Sequence, residues 1–177
     1  MSDLDRVALE SVLDELADEH RQGAHRRAFG ARYMDLRART EAKMRRLFEE
    51  AGGEPERASP HYFVLGESHW FLGLADDMEV IELAIRDLPD ETTSFTYPDS
   101  FTAMGLVGDY GLPYEPRPYH DRVFRLDDLE SVIAEYGMPP DPAGAYPGYE
   151  HRPFEIYIEV QLWSDGPVSE WLTRNGG

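Results

Sequence analysis

Between Glu155 and Trp163 the chain alternates without a break: Ile156, Ile158, Val160 and Leu162 interleave with Glu155, Tyr157, Glu159, Gln161 and Trp163. A period of two is that of a strand with one packed face. The opposite face lines up two carboxylates, a phenol, an amide and an indole rather than the Lys, Thr and Ser of a solvated surface. Such a row suits the wall of a cleft.

Elsewhere the period lengthens. Leu9, Val12, Leu13 and Leu16 fall at helical spacing and predict a helix from about Leu4 to His20, broken at Gly23. Phe29, Tyr33, Leu36, Thr40, Met44 and Leu47 form one stripe at steps of four and three, so a longer helix follows and ends at Gly52–Gly53. The two helices suit an antiparallel hairpin, its stripe used for core packing or for self-association. From Pro60 the pattern becomes strand-like, over His61 to Leu65, Met78 to Ile85, Thr93 to Tyr97, Arg122 to Leu126 and Glu155 to Trp163. A helix from about Asp127 to Tyr136 is signalled by acidic residues in its first turn and Gly137 past its end, and a closing helix begins near Pro167.

Two helices followed by a strand-rich block predict an α+β fold with a mixed or antiparallel sheet and one or two short helices. The division expected is a helical N-terminal segment over 1–53 and an α+β domain over 54–177. Two long segments read as loops: Pro98 to Asp121, with Tyr110, Tyr114 and Tyr119, and Met138 to Pro153, with Pro139, Pro140, Pro142 and Pro147 beside Tyr146 and Tyr149. Both are too aromatic for a typical linker. They are read either as lids over the sheet or as loops stapled down by their tyrosines.

Composition narrows the function classes. A chain of 177 residues buries roughly 70% of its unfolded surface on folding, which supports a real core. The absence of cysteine excludes disulfides, thiolate nucleophiles and cysteine-ligated metals. With no apolar run of membrane-spanning length and no basic leader, a cytoplasmic location is expected. The net charge is −18, yet nine of the seventeen basic residues, Arg37 and Arg45 among them, fall between Arg21 and Arg46 against only Asp35 and Glu41. A helix of that charge either lies across the protein's own acidic body or meets a partner. Nucleic-acid phosphate is one such partner, disfavoured by the negative total.

Among the carboxylates, Glu155 and Glu159 sit roughly 13 Å apart along a strand, too far for the 5 to 9.5 Å of a glycosidase pair. Glu159 is the stronger candidate because it lies mid-strand between Tyr157 and Gln161, where a fixed carboxylate stabilises positive charge or accepts a proton. The competing reading is a cross-strand ion pair with Arg122 or Arg125. The histidines, His61, His69 and His120 included, lack metal-ligand spacing, no glycine-bracketed nucleophilic serine appears, and there is no phosphate-binding glycine loop.

The run Pro60-His61-Tyr62-Phe63-Val64-Leu65-Gly66, then Val80-Ile81-Glu82-Leu83 leading to Ser94-Phe95-Thr96-Tyr97-Pro98-Asp99-Ser100, then the strand bearing Glu159, resembles the strand order of the ADP-ribosyltransferase superfamily. The resemblance implies a split sheet binding NAD, with His61 or Tyr62 near the cofactor, a polar strand end around Thr96 to Ser100 that includes Tyr97, Tyr157 and Gln161 beside it, and Glu159 as the catalytic carboxylate. Here the order Glu159-Val160-Gln161 reverses that of the family's last-strand motif. The alternative is a non-enzymatic interaction module, self-associating or binding a protein partner through its N-terminal helices.

Overall fold

The computed structural model describes residues 6–21, 31–68, 80–109, 111, 114–139 and 157–175. Helix α1 spans Arg6–Arg21 and α2 spans Ala31–Glu50. Strand β1 (His61–Val64) follows, then β2 (Thr93–Thr96), the short helices α3 (Ser100–Ala103) and α4 (Leu106–Asp109), β3 (Phe124–Arg125), α5 (Leu129–Tyr136), β4 (Glu159–Leu162) and α6 (Gly166–Asn175). The fold is α+β. No helix among the described residues is long and apolar enough to cross a membrane.

The four strands form one sheet in the order β1-β4-β2-β3, every pairing antiparallel. The last strand is therefore central. In register, Val160 lies between Phe63 and Phe95, and Gln161 between Tyr62 and Ser94. Side-chain alternation then sorts the sheet into two faces. Phe95, Tyr97, Phe124, Ile158 and Val160 bury on one face with Val132, joined by Ile133 and Tyr136 of α5. On the other, Trp163 buries with Met44 and Phe48 of α2 and with Ala103 and Met104. The Phe48 and Trp163 rings stack at 6.3 Å between centroids. Helix α2 and the sheet thus share one core.

Helix α2 ends where its glycines predict. Gly52 has φ +88° and its N–H bonds Glu49 O at 3.0 Å, while Gly53 N–H reaches Phe48 O at 2.9 Å. This is the Schellman arrangement, in which a left-handed residue turns the chain and satisfies the last carbonyls. A Cβ on Gly53 would meet the Phe48 ring at 2.4 Å, so the ring itself requires glycine there.

Three expectations are corrected. Residues 80–84 form no strand and Ile85–Asp87 is a single 3-10 turn, because Val80, Glu82 and Ala84 are exposed and find no sheet edge. The stretch from Pro98 to Asp121 is not all loop: Asp99 caps α3 by accepting from Thr102 N–H at 3.0 Å, and α4 follows. The cleft-lining face of β4 is an interior face, since all four of its residues are buried beneath neighbours on both sides. Strand β3 and helix α5 are shorter than expected, with a 3-10 turn at Leu126–Asp128 between them. The helix start before Arg6, Gly23, Phe29, His69, Met78, Tyr110, residues 140–153 and Glu155–Ile156 lie outside the described residues.

Candidate functional site

The inward face of α2 carries charge where a core stripe ordinarily carries none. Arg37, Glu41, Met44 and Phe48 recur at helical steps, and the two charged members meet the polar face of the sheet. The Arg37 guanidinium bonds Glu41 Oε1 from Nε at 3.2 Å, donates from Nη1 to Ser100 Oγ at 2.9 Å, and brings Nη2 to 3.9 Å from Glu159 Oε1. It also lies over the Tyr62 ring, 3.8 Å from the centroid. Tyr62 in turn donates its hydroxyl to Glu41 Oε1 at 3.0 Å. Helix, first strand and last strand are tied through one cation.

A relay continues behind Glu159 along the sheet. Gln161 Nε2 donates to Thr96 Oγ1 at 3.1 Å and to Glu159 Oε1 at 3.3 Å; Ser94 Oγ donates to Gln161 Oε1 at 3.1 Å, and Trp163 Nε1 to Ser94 Oγ at 2.8 Å. Glu159 is 7% exposed and Gln161 is fully buried. With each amide and hydroxyl orienting its neighbour, the Glu159 carboxylate is held in a fixed direction.

Asp99 completes the centre. Its carboxylate accepts from the N–H and Oγ1 of Thr102, both at 3.0 Å, at the start of the turn whose Ser100 receives Arg37. Burial, and after it the Glu159 carboxylate, push Asp99 up to about 7 in spite of the Thr102 bonds. Burial also pushes the Tyr62 phenol up, opposed by Arg37 and reinforced by Glu41 and Glu159, so Tyr62 stays protonated and donates. For Arg37 the burial cost is outweighed by Glu159, Tyr62, Tyr33 and Glu41, and the guanidinium is held above its ordinary range. One guanidinium thus faces two carboxylates. Among the described residues these groups carry a formal charge of −1, and −2 once Asp99 ionises.

The sequence-predicted residues divide. Tyr62, Ser100, Gln161 and Glu159 converge with Arg37. Tyr97 lies on the opposite face, donating its hydroxyl to Tyr136 O and Gly137 O at 3.0 and 3.1 Å. His61 points away from the cluster to Asp165, Nε2 to Oδ1 at 2.8 Å, and this bond leads the causes that hold Asp165 below the usual carboxylate range. Tyr157 is half-buried just before β4. The partner of Glu159 is Arg37 of α2; Arg125 instead bonds Gly52 O at 2.9 Å.

The basic helix meets the protein itself. Arg37 is turned inward, Lys43 pairs with Asp121, Arg45 with Glu49 and Arg46 with Glu50. Arg45 further donates to Pro55 O at 3.0 Å and Arg57 O at 3.3 Å, with its side chain 37% exposed, whereas the Arg37 side chain is 11% exposed. Sequence reading missed Glu41 and Asp99. The signal for Glu41 was an Arg and a Glu four apart inside an apolar stripe; for Asp99 it was an N-cap aspartate with threonine three residues on.

Tested against NAD, the set fits in part. Tyr62, Ser100 and Glu159 are gathered, yet α2 covers Glu159 and Gln161, and His61 and Tyr97 point elsewhere. No family model, curated protein or solved structure matches this chain.

Proposed function

We propose that this is a ligand-binding or catalytic domain of the cytoplasm. Its working centre is the cluster of Arg37, Glu41, Tyr62, Asp99 and Glu159, and that centre holds or stabilises positive charge. The observation that carries the reading is that, among the described residues, one inward-turned guanidinium stands against the buried carboxylates of Glu41 and Glu159, with Asp99 adding negative charge near neutrality. A balanced buried pair is common scaffolding, and apolar residues replace such pairs at little cost. Surplus buried charge is costly to the fold and gathers where chemistry needs it. Glu159 supplies the fixed carboxylate, Asp99 a carboxyl that exchanges a proton near neutral pH, and Tyr62 a hydroxyl donor. Transfer of the ADP-ribosyl type belongs to the class of reactions in which positive charge develops on a sugar, and the resemblance puts that class forward. With α2 over Glu159, no step through NAD is drawn from the present arrangement.

Thermal unfolding with NAD, other nucleotides, organic cations, divalent metals and a short oligonucleotide tests the reading. A ligand at about 100 times its Kd stabilises by roughly 2.7 kcal/mol. Stabilisation by NAD or by an organic cation, lost in Glu159→Gln, is the expected result. A panel without any shift removes the small-ligand reading.

A second reading is favoured by α1. Val7 is 78% exposed, and Ala8, Leu9, Val12 and Leu13 are only partly buried, whereas Leu36, Thr40 and Met44 of the α2 stripe are buried. An interaction module would therefore use α1 and not α2. Mass measured against concentration, for the natural chain and for Val12→Asp, separates a self-associating α1 from a monomer.

A further inference from the structure

A cleft of about 650 Å³ opens between α1, α2 and the segment that leads into β1. Leu9 of α1 and Met34 of α2 give it an apolar side, and the small side chains of Ala38, Ala42 and Ala58 leave its space unfilled. Its walls are fixed. Arg45 clips the following segment to α2 through Pro55 O and Arg57 O, and the N–H groups of Glu56 and Arg57 both bond Trp163 O at 3.0 Å.

The charges around the cleft do not cancel. Arg45 is compensated by Glu49 at 2.6 Å, and Glu41 at the base by Arg37. Asp35 on α2 and Glu56 on the facing segment are both exposed, and neither forms an ion pair among the described residues. Two carboxylates without an ion pair among the described residues, on separate walls beside the apolar side chains of Leu9 and Met34, complement a ligand with two positive charges joined by a short apolar spacer. The volume lies within the roughly 300 to 1,000 Å³ of small-molecule sites. We propose that this cleft is a binding site for a small linear polyamine, with Asp35 and Glu56 receiving two of its ammonium groups. The site is distinct from the buried cluster and shares only Glu41 with it.

Calorimetric titration with spermidine at about physiological ionic strength, where long-range attraction to the acidic surface is screened, tests the proposal. One saturable site is expected, together with no binding of 1,4-butanediol, which has the spacer and no charge. Ala38→Leu fills the cleft without altering the net charge and is expected to weaken spermidine at least tenfold; the surface changes Asp35→Asn and Glu56→Gln are each expected to weaken it several-fold. Far-UV circular dichroism checks that each variant is folded. Should Ala38→Leu fail to fold, the two charge variants carry the test. Absence of saturable binding, equal affinity in Ala38→Leu, unchanged affinity in both charge variants, or equal binding of the diol would each overturn the proposal. Glu159→Gln is expected to leave spermidine affinity within twofold, so failure here and failure of the buried centre are told apart.

Discussion

Asp99→Asn isolates the least ordinary group of the buried centre. The amide keeps an oxygen to accept from Thr102 N–H, and asparagine caps helices about as well as aspartate. At its other position the NH2 donates to Thr102 Oγ1, which rotates from donor to acceptor. Geometry is retained and only the titration is removed. Below its ordinary value of 3.8 Asp99 is protonated in both the folded and the unfolded chain and contributes no pH dependence. Between 3.8 and about 7 the unfolded chain releases the proton while the folded chain keeps it, so stability falls as pH rises by about 1.4 kcal/mol per unit. Above about 7 both states are ionised and the whole penalty, on the order of 4 kcal/mol, is present. Asp99→Asn is thus expected to match the natural chain near pH 4 and to exceed it by a few kcal/mol at pH 8. Urea denaturation of both proteins from pH 4 to 8 measures this, because the difference between them cancels the carboxylates that do not interact with Asp99. Parallel pH profiles, or an Asp99→Asn protein less stable than the natural chain at pH 8, would refute the reasoning.

Other perturbations follow from the same contacts. Arg37→Met removes the cation that pairs with Glu41 and approaches Glu159, so it should cost about 3–5 kcal/mol in urea denaturation, the scale of a broken buried pair. Reversing the charge at Arg37 should likewise unfold the protein rather than alter any salt-dependent contact with nucleic acid. Gly53→Ala must displace the Phe48 ring and should cost about 1–3 kcal/mol, read as a lower urea midpoint at unchanged slope. Trp163→Phe leaves Ser94 Oγ without its indole donor and opens space against Phe48, and a loss of about 1–3 kcal/mol is expected from the same assay.

The periodicities in this sequence are local properties, and what they describe locally is what the structure returns. The stripe of α2, the glycine stop at 52–53, the strand at 93 and the helix ending at Tyr136 all follow from spacing and capping chemistry within a few residues. Strand order is not local. The polar row of β4 was legible as a row, but its reading as a cleft wall assumed one open face. The last strand instead inserts between β1 and β2, and α2, separated from it by over a hundred residues, closes the face. The same long-range step decides the site. Glu159, Tyr62, Ser100 and Gln161 stood out for their chemistry, whereas Arg37 read as one member of a basic run, and nothing in its neighbours says that its side chain points inward. Asp99 and Glu41 resemble ordinary capping and surface acids until the fold buries them.

The central claim is that the buried centre carries more negative charge than the fold requires. Thermal unfolding of Glu159→Gln at pH 8, with and without the ligand panel, tests it most directly. Glutamine can still accept from Gln161 Nε2, and it leaves Arg37 balanced by Glu41. The Tm of the variant is expected to equal or exceed that of the natural chain, by up to several degrees at about 2–4 °C per kcal/mol, together with loss of whatever ligand response the natural chain shows. A Tm lowered by several degrees with the ligand response intact would contradict it, and would make Glu159 a strut of the fold and not its working group.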